Sequence, residues 1–124
     1  MAKILIVDDE AHIRILLQQT LEELEDEGVE ILVAQNGEEA LRTITEEMPE
    51  LVFLDVMMPI MNGYEVCQKT KIELGLSQVY IVMLTAKGQV FDKQKGEDLG
   101  ADVYMTKPFN PDEILEKARD VLGL

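Results

Sequence analysis

Three short runs of uninterrupted apolar residues constrain this fold more than any other feature: residues 4–7, 51–54 and 79–84. None of them alternates apolar with polar, so each reads as a strand buried on both faces. Each also stops abruptly on polar chemistry: Asp8-Asp9 after the first, Asp55 after the second and Thr85 after the third. The second run has Pro49 before it, and Pro59 with Asn62-Gly63 after it, which leaves Asp55 at the carboxyl end of a strand. In an open parallel sheet that edge is where ligands bind. Taken singly, Asp55 is equally well explained as a turn former.

The segments between these runs carry helical periodicity. Over 10–26, Ile13, Leu16, Leu17, Thr20, Leu21 and Leu24 fall on one stripe, and Gly28 stops the helix. A strand over 29–34 follows. Asn36 with Glu39 three residues on predicts a capping box, opening a helix that buries Ala40, Leu41, Ile44 and Met48 and ends at Pro49. Asn62 and Glu65 repeat that signal ahead of Val66, Cys67, Thr70 and Leu74, and Gly75 closes the segment. The helix over 87–99 is the weakest, because Gly88 and Gly96 each cost roughly 1 kcal/mol relative to Ala. Its large apolar anchors are only Val90, Phe91 and Leu99. The spacing therefore predicts the loosest element there. A last strand over 102–105 leads through Thr106-Lys107-Pro108-Phe109 to a fifth helix. Asn110 is its cap, Pro111 its first position and Glu113 the box partner; Ile114, Leu115, Ala118, Val121 and Leu122 face inward.

Five strands alternating with five helices imply a doubly wound α/β fold, a parallel sheet covered on both faces with right-handed crossovers. At 124 residues the chain is one domain, 1–124, long enough to bury ~65–70% of its unfolded surface. In the flavodoxin-like order 2-1-3-4-5, the switch point lies between the first and third strands, which carry Asp8, Asp9 and Asp55. Three acids at one crevice repel one another unless a cation sits among them. Their oxygens suit a hard divalent ion such as Mg²⁺, commonly shared with a phosphate. The other strand ends supply the Thr85 hydroxyl and the Lys107 ammonium, groups that stabilise a transferring phosphoryl.

Charge and composition exclude several classes. The formal net charge is -14, with 25 acidic against 11 basic residues. That argues against direct contact with nucleic acid or an anionic membrane. The acids at 22–27 and 46–50 read as solvated helix ends. Cys67 stands alone, so no intramolecular disulfide forms, a reducing compartment is suited, and core packing is its expected use. No signal segment or run of ~18 apolar residues occurs. A soluble, cytoplasmic protein is expected.

Asp8-Asp9, the Asp55-Val-Met-Met-Pro-Ile-Met-Asn-Gly loop, Leu84-Thr85-Ala86, Gly100-Ala101-Asp102 and Tyr104-Met-Thr-Lys107-Pro108-Phe109 stand in order along the chain. Together they resemble the receiver domain of bacterial two-component response regulators, over essentially the full length, and the single-domain chemotaxis type in particular. The family shares the sheet order given above. The resemblance implies that Asp55 is the phosphoacceptor, and that Mg²⁺ is held by Asp8, Asp9, Asp55 and the backbone carbonyl of Met57. It implies that Thr85 and Lys107 contact the phosphoryl group and that Thr85 with Tyr104 forms the switch. Lys87 and Met57 flank the site by the same analogy, and the Lys107-Pro108 bond is expected to be cis. The implied partners are a sensor histidine kinase or a histidine phosphotransfer protein, and a downstream protein target. The output face is the helix over 87–99 with the last strand and last helix, in a monomer or a weak phosphorylation-dependent dimer. The domain would be a switch that phosphorylates itself and resets with Mg²⁺, not a turnover enzyme.

Three other readings compete. An Asp-nucleophile phosphohydrolase normally carries a second Asp two residues on, where this chain has Met57, which transfers no proton. A flavin binder needs a phosphate loop after the first strand, where Asp8-Asp9-Glu10 repels phosphate. A phosphorylation-independent scaffold of receiver type would have lost landmarks that are all present here. Read singly, each residue has a purely structural alternative: Asp9 as a helix cap, Thr85 as a strand end, Lys107 as a solvated loop residue, Tyr104 as core and His12 as surface.

Overall fold

A computed structural model describes residues 2–86 and 93–124. The sheet is parallel and five-stranded, ordered β2-β1-β3-β4-β5. Its strands are β1 (Lys3–Val7), β2 (Glu30–Ala34), β3 (Leu51–Asp55), β4 (Tyr80–Ala86) and β5 (Val103–Lys107). The helices among the described residues are α1 (Ala11–Thr20), α2 (Glu22–Glu25), α3 (Gly37–Glu47), α4 (Gly63–Gln68), α5 (Lys93–Asp98) and α6 (Pro111–Leu122). A π-helical turn, Lys69–Glu73, extends α4.

Alternate residues of the central strands enter two separate apolar layers, as a sheet covered on both faces requires. Leu5, Val7, Val52, Leu54, Ile81 and Met83 pack under α3 and α4 with Ala40, Ile44, Val66 and Cys67. Ile4, Ile6, Phe53, Val82 and Leu84 pack under α1, α2 and α6 with Leu17, Leu21, Leu24, Ile114 and Ala118. All five residues of β3 are buried, so the run that ends on Asp55 is the centre of the molecule.

Several elements differ from the sequence expectation for identifiable reasons. The first helix breaks at Leu21 (φ -95, ψ 2), giving six helical segments where five were expected. Five acids follow with no basic residue in the last turn, an unfavourable match to the negative end of the helix dipole. Thr20 Oγ1 also donates to the Leu16 carbonyl, a back-bond that bends helices. Leu16 leaves the buried stripe and is 43% exposed. Met48 sits past the end of α3 at φ 49 and is exposed as well. In the π-helical turn the Leu74 amide donates to Lys69 five residues back. That wider turn rotates Leu74 off the face shared by Val66, Cys67 and Thr70.

The caps also sort themselves. Asn62 and Glu65 close a complete capping box, whereas Asn36 accepts only from the Glu39 amide. Asn110 caps Asp112 in place of Glu113. The acids at 22–27 are all exposed, as expected, and the Arg119 guanidinium reaches two of them, Glu23 and Glu27, each at 2.7 Å. It holds the Glu27 carboxyl below the usual range. Of the helix expected over 87–99, only Lys93–Asp98 is described. Gly88, Val90 and Phe91, on which its expected looseness rests together with Gly96 and Leu99, lie outside the described residues, as does Lys87.

α4 and its π-helical extension grip the chain around α5 with three contacts. Lys95 Nζ lies 4.7 Å from the Tyr64 ring centroid, Cys67 Sγ donates to the Leu99 carbonyl, and Lys71 Nζ meets Asp102 Oδ2 at 2.9 Å. Gly100, at φ +96, lets the Lys71 stem pass, since a Cβ there would lie 2.8 Å from the Lys71 Cβ. Asp102 also accepts from the Ile81 amide. The Gly100-Ala101-Asp102 landmark therefore has a structural cause in this chain.

Candidate functional site

The strand register decides which site residues share a face. Asp55 pairs with Leu84 and Leu84 with Met105, while Thr85 pairs with Thr106 and Met83 with Tyr104. Because side chains alternate along a strand, Asp55 and Lys107 lie on the α1 and α6 side. Thr85 and Tyr104 lie on the opposite side, as diagonal neighbours on adjacent strands. Val7 pairs with Leu54, so Asp8, the next residue, continues the row of Asp55. Thr85 and Tyr104 thus meet the charged group only at the sheet edge.

Asp8 is wholly buried and Asp55 nearly so, at 0% and 3% exposure. Lys107 Nζ donates to Asp8 Oδ2 at 2.7 Å and to Asp55 Oδ1 at 3.3 Å. Burial, reinforced by the charge of Asp8, pushes the Asp55 carboxyl up to about 7; Lys107 pulls the other way without cancelling it. Burial alone would lower the Lys107 ammonium, but its bond to Asp8 and the charges of both acids hold it above the ordinary lysine range. Among the described residues, two buried carboxylates and one ammonium give this crevice an excess of negative charge.

That excess is larger still at its mouth. Carboxylate oxygens of Asp8, Asp9 and Glu10 gather within 4.8 Å of one another, with Asp9 and Glu10 exposed. An all-oxygen, anionic donor set of this kind fits a hard divalent cation. Glu10 was not foreseen in it. Its amide folds back onto Asp8 Oδ1 at 2.9 Å, a local turn that draws the third acid in, and its carboxylate also pairs with the exposed His12. Met57 follows β3 in the turn with an exposed side chain. Thr85 is buried at the end of β4, and Tyr104 is partly exposed on β5. The Lys107-Pro108 bond is cis.

Two backbone features beside Asp55 also escaped the reading of motifs. Gly63 begins α4 against Asp55 itself, and a Cβ there would come within 2.5 Å of the Asp55 carbonyl oxygen. Ile60, 98% exposed, holds φ 70 in a turn closed by the Met61 amide on the Pro59 carbonyl. A β-branched residue in that region is an outlier. Pro59 and the Asn62-Gly63 pair are the signals in the sequence that point to this tight loop. Cys67 is core: burial pushes its thiol up to about 12.

A doubly wound parallel sheet with buried acids at its switch point, bonded to a lysine from the last strand, defines a class of α/β proteins with an acidic crevice at the strand ends. Within that class this chain belongs to the response regulator receiver domain family, whose family model matches residues 4–119. It is 50% identical over 120 residues to "Probable transcriptional regulator ycf27" of Pyropia yezoensis, covering 97% of this chain and 47% of that protein. It is 46% identical to the alkaline phosphatase synthesis transcriptional regulatory protein PhoP of Bacillus subtilis, covering 97% and 48%. The chain spans about half the length of these curated relatives. Among solved structures it is similar to the chemotaxis response regulator CheY4 of Vibrio cholerae, with 35% identity, a TM-score of 0.83 and 98% coverage of both chains. The BeF3-activated DrrB receiver domain is similar at 33% identity and a TM-score of 0.81, covering 100% of this chain and 99% of that one. Membership of this family is consistent with two-component signalling. No helix among the described residues is long and apolar enough to cross a membrane.

Proposed function

We propose that this domain is a phosphoaspartate switch of a two-component phosphorelay, with Asp55 as the phosphoacceptor. One observation carries the reading: Asp55 is buried at the end of the central strand, beside Asp8, with the Lys107 ammonium bonded to both acids. A resting carboxylate is poorly served by such surroundings. A phosphoryl group with several oxygens to satisfy fits them better.

In the forward step an Asp55 oxygen attacks the phosphorus of a phosphohistidine on a sensor kinase or phosphotransfer protein, or of a small acyl phosphate. The new P–O bond forms as the P–N bond, or the donor's P–O bond, breaks, and the departing imidazole takes up a proton. Lys107 donates to one phosphoryl oxygen and Thr85 to another, so the charge that leaves Asp55 stays compensated. Asp9, Asp55, the Met57 carbonyl and, through water, Asp8 are the groups that would hold Mg²⁺. When bound, Mg²⁺ neutralises charge on the phosphoryl oxygens. Reset is attack of water at phosphorus, which releases inorganic phosphate and restores the Asp55 carboxylate. Self-phosphorylation and self-dephosphorylation make this a switch, not an enzyme acting on a separate substrate.

The readout runs through the other face of the sheet. Movement of the Thr85 hydroxyl toward the phosphoryl group frees space that Tyr104, its diagonal neighbour, can enter. The surface of α5, β5 and α6 then changes for a downstream protein target, in a cytoplasmic protein acting as a monomer or weak phosphorylation-dependent dimer. Incubation with acetyl phosphate and Mg²⁺ tests this reading by intact mass. One added phosphoryl group in the wild type and none in Asp55→Asn supports it. No addition to the wild type favours a binding scaffold instead.

A further inference from the structure

We infer that Arg14 is a positioning residue for Asp8, and through it for the cation site proposed above. Arg14 lies in the first turn of α1, where the positive end of the helix dipole disfavours a cation. Its guanidinium Nη1 donates to the Asp8 backbone carbonyl at 2.7 Å. That bond completes a set in which the polar atoms of the buried Asp8 each have a partner. The Asp8 amide donates to Ala34 at 3.3 Å, Oδ1 accepts from Glu10, and Oδ2 accepts from Lys107. Asp8 is thus tied to β2, to its own turn, to β5 and, directly through the Arg14 guanidinium, to α1, which also holds the turn through the Ile13 and Arg14 amides on the Glu10 carbonyl. Without the guanidinium, the Asp8 carbonyl loses that partner and the peptide between Asp8 and Asp9 rotates more easily, carrying the Asp9 carboxylate and loosening the turn that places Glu10.

Charge and position make opposite predictions. Arg14 is a cation beside three acids, so its removal by charge alone tightens binding of a divalent cation. If its part is to hold the turn, removal weakens binding instead. Second partners of metal ligands typically account for about tenfold or more in affinity.

Titration calorimetry with Mg²⁺ and no phosphodonor separates the two. The expected result is affinity weaker by about tenfold in Arg14→Met, with partial recovery in Arg14→Lys, which keeps a donor in reach. Equal or tighter binding in Arg14→Met overturns the inference. A second readout needs no metal: amide exchange at Glu10 should quicken in Arg14→Met while Leu5 in β1 is unchanged, and Arg14→Lys should restore it. Unaltered Glu10 exchange also overturns the inference. Failure of the wild type to bind Mg²⁺ counts against the metal site itself, and the Glu10 exchange still decides the role of Arg14.

Discussion

Lys107 Nζ sits closer to Asp8 than to Asp55, at 2.7 Å against 3.3 Å, and is the ammonium that separates two buried carboxylates. Replacing it with a neutral side chain leaves both acids facing each other without compensation. Breaking a buried ion pair by deleting one partner costs about 3 kcal/mol or more. Lys107→Met should lower stability in urea by roughly that amount, and adding Asp55→Asn in the same chain should recover much of it. If Lys107→Met unfolds at the wild-type midpoint, the ammonium is not what holds the acids together.

The residual negative charge has its own consequence. Mg²⁺ at tenfold over its Kd should stabilise the wild type by about 1.4 kcal/mol, and chelation should reverse the gain. In Asp9→Ala the gain should vanish, because Asp9 is an exposed acid of the oxygen cluster. Melting curves that respond equally in both proteins place the cation elsewhere.

Gly63 links helix packing to the site. A methyl there would lie 2.9 Å from the Val56 Cα as well as against the Asp55 carbonyl, and backbone atoms cannot swing away. Gly63→Ala should therefore destabilise by about 3 kcal/mol, the upper part of the range for overpacking. It should also slow phosphoryl uptake, since relief requires Asp55 or α4 to move. Unchanged stability, measured by denaturant midpoint, contradicts the close approach.

The grip of α4 on Asp102 is testable in the same way. The Lys71 side chain is only 8% exposed, so its bond to Asp102 is partly shielded from solvent. A double-mutant cycle of Lys71→Met and Asp102→Ala should give a coupling of about 1 kcal/mol. Asp102→Ala should cost more than Lys71→Met, because the Ile81 amide loses its acceptor too. Additive effects mean that the two residues act separately.

Strand ends were legible in the sequence because a buried parallel strand must be apolar throughout, so a polar residue marks where it emerges. Asp8, Asp55 and Thr85 carry that mark, whereas Lys107 follows Thr106 on the half-buried β5 and was legible only through the Lys107-Pro108-Phe109 landmark. Arg14 carries none: it acts on a backbone carbonyl, which leaves no trace in residue types, and on a helical wheel it is one more polar residue. Glu10 joined the acid cluster through a local turn that the run Asp8-Asp9-Glu10 does not specify. Leu74 was misplaced because helical spacing assumes a constant turn, and the π-helical segment breaks it. Leu16 was misplaced because the buried stripe of α1 is narrower than its apolar content.

The central claim is that one carboxylate, Asp55, becomes an acyl phosphate. Borohydride reduces such a mixed anhydride to an alcohol, so treatment after incubation with acetyl phosphate and Mg²⁺ converts the modified aspartate to homoserine. Peptide mass mapping should then find homoserine at position 55 and nowhere else. Homoserine at position 8 or 9, or a phosphoryl group on His12, would contradict the account.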